Sequence, residues 1–271
     1  MDLNTKDIQL QYEGFLNTPF LWNSDAIFSL KQFENPKINA STFNNGIVKN
    51  LRLGKRVERF VIYELNQQPT IKILAKNIQI QNGKTTVGEI DCILTKNEQP
   101  IHLEIIYKFY LYDKTFGTTE IEHWIGPNRN DNLVKKLTKL KDKQLPLLYN
   151  SYTNPLLEKL NLESEKIEQR VYFKAQLFVP LSLKKNSFKL INNNCIQGFY
   201  IHFNELKQFS DCKFFIPSKI NWLQNVQIQT RWLSYDSFLI KVTALINHQT
   251  APLCWIKFPK GELQKLFVVW W

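Results

Sequence analysis

Cysteine, arginine and long apolar runs are all in short supply in this chain. The four cysteines, Cys92, Cys195, Cys212 and Cys254, stand far apart and form no Cys-x-x-Cys pair. Neither a zinc site nor a disulfide framework is indicated, and reduced thiols are expected. Nine glycines and eleven prolines, scattered along 271 residues, give no support to a collagen-like or linker-rich chain. The longest apolar stretch, around Leu103–Leu111, contains Lys108 and falls far short of the roughly 18–20 residues that span a bilayer. The opening MDLNTKDIQLQYEG is polar and acidic where a secretory signal needs a basic and then an apolar run. A soluble, cytoplasmic protein without a membrane partner is expected. Neither GxGxxG nor GxxxxGK[ST] occurs, so a dinucleotide site or a P-loop has no sequence support.

What is present is a surplus of positive charge. The net charge is +11 and the isoelectric point about 9.4. A basic protein attracts polyanions, of which nucleic acid is the usual cellular one. Only six of the cationic residues are arginines, and the richness in lysine, asparagine, isoleucine and phenylalanine is also what a biased genomic base composition produces. Apolar residues at 44% and charged residues at 22% are ordinary for a folded globular chain and exclude wholesale disorder.

Periodicity divides the chain. Residues 1–50 read as helices and loops, with breaks at Asn35-Pro36 and Asn44-Asn45-Gly46. In Gly54–Leu65, Val57, Val61 and Leu65 recur at helical spacing, as do Phe60 and Glu64, which predicts an amphipathic helix ending before Pro69. The period then shortens. Thr70–Gln81 is β-rich and runs into Asn82-Gly83, a strong hairpin signal, followed by Lys84–Leu94. A second turn at residues 96–100 leads to Ile101–Tyr112. Helical period returns over Asp131–Gln144, with Leu133, Leu137, Leu140 and Leu147 on one face and Lys135, Lys139 and Lys143 on another. Val171–Pro180 and Gly198–Phe203 are further strands. The predicted order is α-β-β-β-α-β and then an irregular extension, an α/β chain.

Ile101–Tyr112 is the most informative segment. Alternation puts Ile101, Leu103, Ile105, Tyr107, Phe109 and Leu111 on one wholly hydrophobic face, and His102, Glu104, Ile106, Lys108 and Tyr110 on the other. Such a strand is central and covered on both sides. A carboxylate and an ammonium under that cover are costly unless paired, liganded or solvated at a cleft. On the preceding strand, Gly88-Glu89-Ile90-Asp91 puts Glu89 and Asp91 on one face. If the hairpin pairs in this register, Asp91 and Glu104 are neighbours, and a hard cation would relieve their repulsion.

A helical Glu, then Gly-Glu-x-Asp, then a strand Glu followed by a Lys resembles the PD-(D/E)XK nuclease superfamily. Nearly the whole chain also resembles the bacterial family called domain of unknown function 1853, which is grouped with that superfamily. The stretches that carry this are LRLGKRVERF, VGEIDCIL, HLEIIYKFYL, GPNRNDNLVKKLTKLKDKQLPL and GELQKLFVVWW, in order from about residue 50 to the end. The resemblance implies a restriction-endonuclease-like core, a mixed central sheet flanked by helices, over residues 50–180. A helical extension at 1–49 would precede it, and a mixed extension at 181–271 would pack on it. It implies Glu58, Asp91 and Glu104 as ligands of Mg²⁺ or Mn²⁺, and Asp91, Glu104 and Lys108 as catalytic. Lys135, Lys136, Lys139, Lys143 and Gln144 would then face a nucleic-acid backbone. One departure stands out. The superfamily has Glu-x-Lys, whereas here Ile106 takes that place and Lys108 lies four residues on, roughly 13 Å from Glu104 along a regular strand against roughly 7 Å.

Plainer readings stand beside these. Glu58 belongs to a helix rich in charge, and Glu64 is a rival acid on it. His102 reads as a core or supporting histidine more readily than as a metal ligand. A lysine face is often only a solvated face. Trp255, Trp270 and Trp271 read as packing. Two functional readings remain open from sequence: a metal-dependent nuclease, favoured by retention of all three acids, and a nucleic-acid-binding or protein-interaction module without catalysis, favoured by the displaced lysine.

Overall fold

The computed structural model describes residues 3–23, 27–33, 42–46, 48, 51–184 and 186–271. The expected break at Asn35-Pro36 lies outside them. Helices α1 (Leu3–Asn17) and α2 (Leu53–Asn66) come first, then strands β1 (Ile71–Asn82), β2 (Thr85–Lys96), β3 (Gln99–Tyr112) and β4 (Trp124–Ile125). Helices α3 (Leu133–Lys139) and α4 (Asn154–Leu160) follow, then β5 (Glu168–Pro180), β6 (Ile196–His202) and β7 (Lys213–Phe215). Helix α5 (Tyr235–Asn247) and strands β8 (Leu253–Lys257) and β9 (Leu263–Val269) end the series. The class is mixed α/β. Among the described residues no helix is long and apolar enough to cross a membrane.

The chain forms two compact units. A hairpin unit comprises residues 20–107 and 135–174, and a terminal unit comprises 1–19, 108–134 and 175–271. In the hairpin unit the strand order is β1-β2-β3-β5. The β1–β2 hairpin closes at the pair Asn82↔Thr85 around Gly83, whose φ of +58° is open to glycine without steric cost. The β2–β3 hairpin closes at Lys96↔Gln99 with Asn97 and Glu98 both left-handed, as a type I′ turn requires. Strand β3 is buried on both faces from Ile101 to Glu104, as its composition leads one to expect. Helix α2 buries Val57, Phe60, Val61 and Leu65, the face that its spacing predicted.

One expected element differs. The helix read over Asp131–Gln144 is α-helical only to Lys139. It widens into a π-helical turn at Leu140–Gln144 and tightens into a 3₁₀ turn at Leu145–Tyr149. Pro146 is the physical reason, since it has no N–H to give to the carbonyl of Asp142 and its ring would crowd that carbonyl. The N–H of Leu145 bonds instead to Leu140 O, five residues back.

In the terminal unit the order is β5-β6-β9-β8-β7, with β5, β6 and β9 parallel and β9, β8 and β7 antiparallel. Phe238 and Val242 of α5 join Phe214, Phe199, Leu266 and Val268 in its core, where the rings of Phe214 and Phe238 stack at 4.1 Å. Trp255, on the other face of β8 from Cys254 and Ile256, is buried too, its ring 5.0 Å from that of Phe215.

Candidate active site

The candidate site arises where two strands part. β1 and β2 stay paired down to Asn82↔Thr85, but β2 and β3 pair only as far as Cys92↔Leu103. One step further, the register sets Asp91 against Glu104. There Asp91 Oδ2 accepts a hydrogen bond from the Ile105 N–H at 2.9 Å. Beyond this point the β1–β2 hairpin continues without β3, and a cleft of about 400 Å³ lies against β2. Lys55 and Glu58 of α2, Glu89 and Asp91 of β2, Lys139 at the end of α3, and Lys143 and Gln144 of the π-helical turn line it. Gly88 sits on its wall, where a Cβ would come within 2.7 Å of Leu147 Cδ2 and make that side chain shift.

Glu104 is held from both sides. It and His102 are 0% exposed. His102 Nε2 is 3.1 Å from Glu104 Oε1. On the far side of the ring, Gln169 Nε2 donates to Leu145 O at 2.6 Å and lies 3.3 Å from His102 Nδ1. Because that amide nitrogen is a donor, Nδ1 accepts, the proton sits on Nε2, and His102 donates to Glu104. Gln144 Nε2 donates to Glu104 Oε2 at 2.5 Å, and Gln144 Oε1 accepts from Lys136 Nζ at 2.8 Å. The π-helical turn ends at this glutamine.

Glu58 faces a different partner. Lys55 Nζ bridges Glu58 Oε2 at 2.8 Å and Glu89 Oε1 at 2.7 Å, and also reaches Asn77 Oδ1 at 3.3 Å. Asn77 falls opposite Asp91 in the β1–β2 register and takes a left-handed φ of +52°, a strained state inside a strand that asparagine tolerates better than most residues.

The acids sense one another. Burial and then the Glu104 charge push the Asp91 carboxyl up to about 7, and Glu58 adds to this; the Ile105 N–H and Lys136 act the other way. Glu58 is raised by burial, with Lys55 opposing and Glu89 and Glu104 reinforcing. Among the described residues no group of three or more His, Cys, Asp or Glu side chains is gathered as a ready metal site. Glu58 is turned to Lys55, and Glu104 to His102 and Gln144. The donor chemistry nevertheless suits a hard divalent cation, because the oxygens are anionic and their mutual repulsion is what such an ion offsets.

Lys108 goes elsewhere. Its Nζ donates to Asp131 Oδ2 at 2.5 Å, within the terminal unit. Lys135 is exposed, Lys136 is half-buried on Gln144, and Lys139 and Lys143 line the cleft. Glu64, the rival acid on α2, is buried, accepts from the Tyr172 hydroxyl at 2.7 Å and lies near the Lys174 charge, which is a structural role. Sequence reasoning missed Lys55, Asn77 and the part played by Glu89. Signals existed for two of them: Lys55 is one helical turn before Glu58, and Glu89 shares the face of Asp91. Nothing in the sequence marked Asn77.

In comparisons with known proteins, the family model described as Domain of unknown function (DUF1853) matches residues 22–269. Neither the curated proteins nor the solved structures gave a match.

Proposed function

The chain belongs to the family Domain of unknown function (DUF1853), and we propose that this member is a metal-dependent nuclease of the PD-(D/E)XK kind, with a restriction-endonuclease-like core around β1, β2 and β3. One observation carries the reading. Asp91 meets the buried Glu104 where the β2–β3 ladder ends, and Asp91 and Glu58, close enough to raise the Asp91 carboxyl further, line a cleft rimmed by lysines. Acids forced together beside cations suit a phosphodiester and the cation that accompanies it.

Asp91, Glu104 and Glu58 would hold Mg²⁺ or Mn²⁺. When bound, such an ion supplies a lowered pKa to water and neutralises charge on the phosphate. The protein's own groups do the rest. His102 and Gln144 orient both oxygens of Glu104, and the Ile105 N–H fixes Asp91. Lys55 lies where it can turn from Glu58 and Glu89 to a phosphate oxygen. Lys139 and Lys143 offer charge to the flanking backbone, which makes binding depend steeply on salt.

A second reading, a nucleic-acid-binding or protein-interaction module without catalysis, is favoured by the engagement of Lys108 with Asp131 and by the internal partners that Glu58 and Glu104 already have. Cleavage of single- and double-stranded DNA and RNA in Mg²⁺ or Mn²⁺ separates the two. The nuclease reading expects products with the wild type and a loss of about a hundredfold or more in Asp91→Ala and Glu104→Ala, with both variants folded. No cleavage of any substrate leaves the binding module, and activity unchanged in both variants points to another site.

A further inference from the structure

We infer that the substrate of this cleft is an unpaired polynucleotide strand, gripped by a lysine and tyrosine tract that continues from the cleft along residues 139–152. The inference rests on the cleft being a phosphodiester site. Residues 135–143 carry Lys135, Lys136, Lys139, Lys141 and Lys143 against one acid, Asp142. Lys139 and Lys143 line the cleft itself. Immediately beyond, Tyr149 and Tyr152 are 56% and 45% exposed.

The backbone that presents these rings is anchored. Leu147 packs against Gly88 on the cleft wall. The buried Thr153 hydroxyl donates to Leu147 O at 2.7 Å, which ties the turn back on itself. The Asn150 side chain accepts from the Tyr152 N–H at 3.0 Å. Two exposed rings on a hydrogen-bonded turn, six and nine residues beyond the cleft-lining Lys143, supply the groups that hold single strands, because stacking takes any base and cations follow the phosphates. Paired bases already stacked in a duplex do not offer their faces to such rings. Phosphate charge and base faces are common to DNA and RNA, so the tract recognises chemistry that both share.

The test is binding of fluorescently labelled oligonucleotides of about 15 nucleotides to the full chain, without divalent metal so that no substrate is consumed. The probes are poly-dT, poly-U and a blunt DNA duplex. The expected result is at least tenfold tighter binding of the single strands than of the duplex. Tyr149→Ala and Tyr152→Ala should each weaken single-strand binding about fivefold or more without changing its salt dependence, and Tyr149→Phe should retain it. Lys139→Ala and Lys143→Ala should each reduce the slope of log affinity against log salt by about 0.7. All four positions are exposed, so folding is not at stake. Equal or tighter duplex binding, tyrosine variants that bind like the wild type, or no binding at all would overturn the inference. Strand binding without cleavage in Mg²⁺ or Mn²⁺ would sink the nuclease reading alone, whereas cleavage indifferent to both tyrosines would sink this one alone.

Discussion

Glu104 in the hairpin unit and Lys265 in the terminal unit are both buried ionisable side chains on strands, and they are accommodated in opposite ways. Lys265 Nζ donates to Gln176 Oε1 at 2.8 Å and to Trp222 O at 3.2 Å, both neutral, and burial pulls its ammonium down to about 7. Its burial is answered by neutral acceptors and by a weakened hold on its proton. Glu104 has donors on both oxygens, yet it raises the carboxyls of Asp91 and Glu58 nearby. The first centre is complete within the fold. The second holds acids near enough to raise one another, beside a cleft where lysines balance them. A group satisfied internally is a packing solution, whereas acids held together against repulsion at an opening suggest work to be done.

Three experiments bear on that contrast, the largest effect first. Lys265→Met should remove a pH dependence. The folded pKa is lowered from 10.5 to about 7, so between these values the unfolded chain holds a proton that the folded chain has lost. Wild-type unfolding free energy should therefore gain about 1.4 kcal/mol per pH unit from this group as pH rises from 7 to 10. Denaturant melts of wild type and variant across that range isolate the difference, and parallel curves would mean that the amine stays charged.

Asp91→Asn tests the acid centre. Its folded pKa is raised from 3.8 to about 7, so the folded state holds the extra proton in that window and wild-type stability falls as pH rises through it. Without divalent metal the variant should gain on the order of a few kcal/mol over the wild type at pH 8 and nothing below pH 4. Added Mg²⁺ should raise the melting temperature of the wild type only. A variant less stable at pH 8 would show that the Ile105 bond outweighs the repulsion. The smallest effect belongs to His102→Phe. It leaves Glu104 Oε1 without its buried donor and should cost roughly 1–3 kcal/mol in a urea melt. A neutral outcome would mean that His102 merely fills space.

Much of the hairpin unit was legible because its signals are local. Alternation around His102 and Glu104 marked β3 as buried on both faces, and Asn82-Gly83 marked the hairpin that carries Asp91. The spacing of Val57, Val61 and Leu65 set the face of α2. The bend after Lys139 was less legible, although Pro146 stood in plain view, because helical period among leucines tolerates one widened turn. Lys108 was misleading: strand alternation tells which face a side chain takes but not which partner waits there, and here it was Asp131.

The sequence by itself determined the mixed α/β class, the turns and the placing of Asp91 and Glu104 on adjoining strands, since these follow from residue spacing and backbone geometry over a few positions. Only the tertiary structure decided that β2 leaves β3 at Asp91, that Gln144, 40 residues from Glu104, supplies its second donor, and that Lys55 meets Glu58 and Glu89. Those outcomes depend on contacts between distant segments, where side-chain reach and competing partners select among arrangements that local pattern leaves equal.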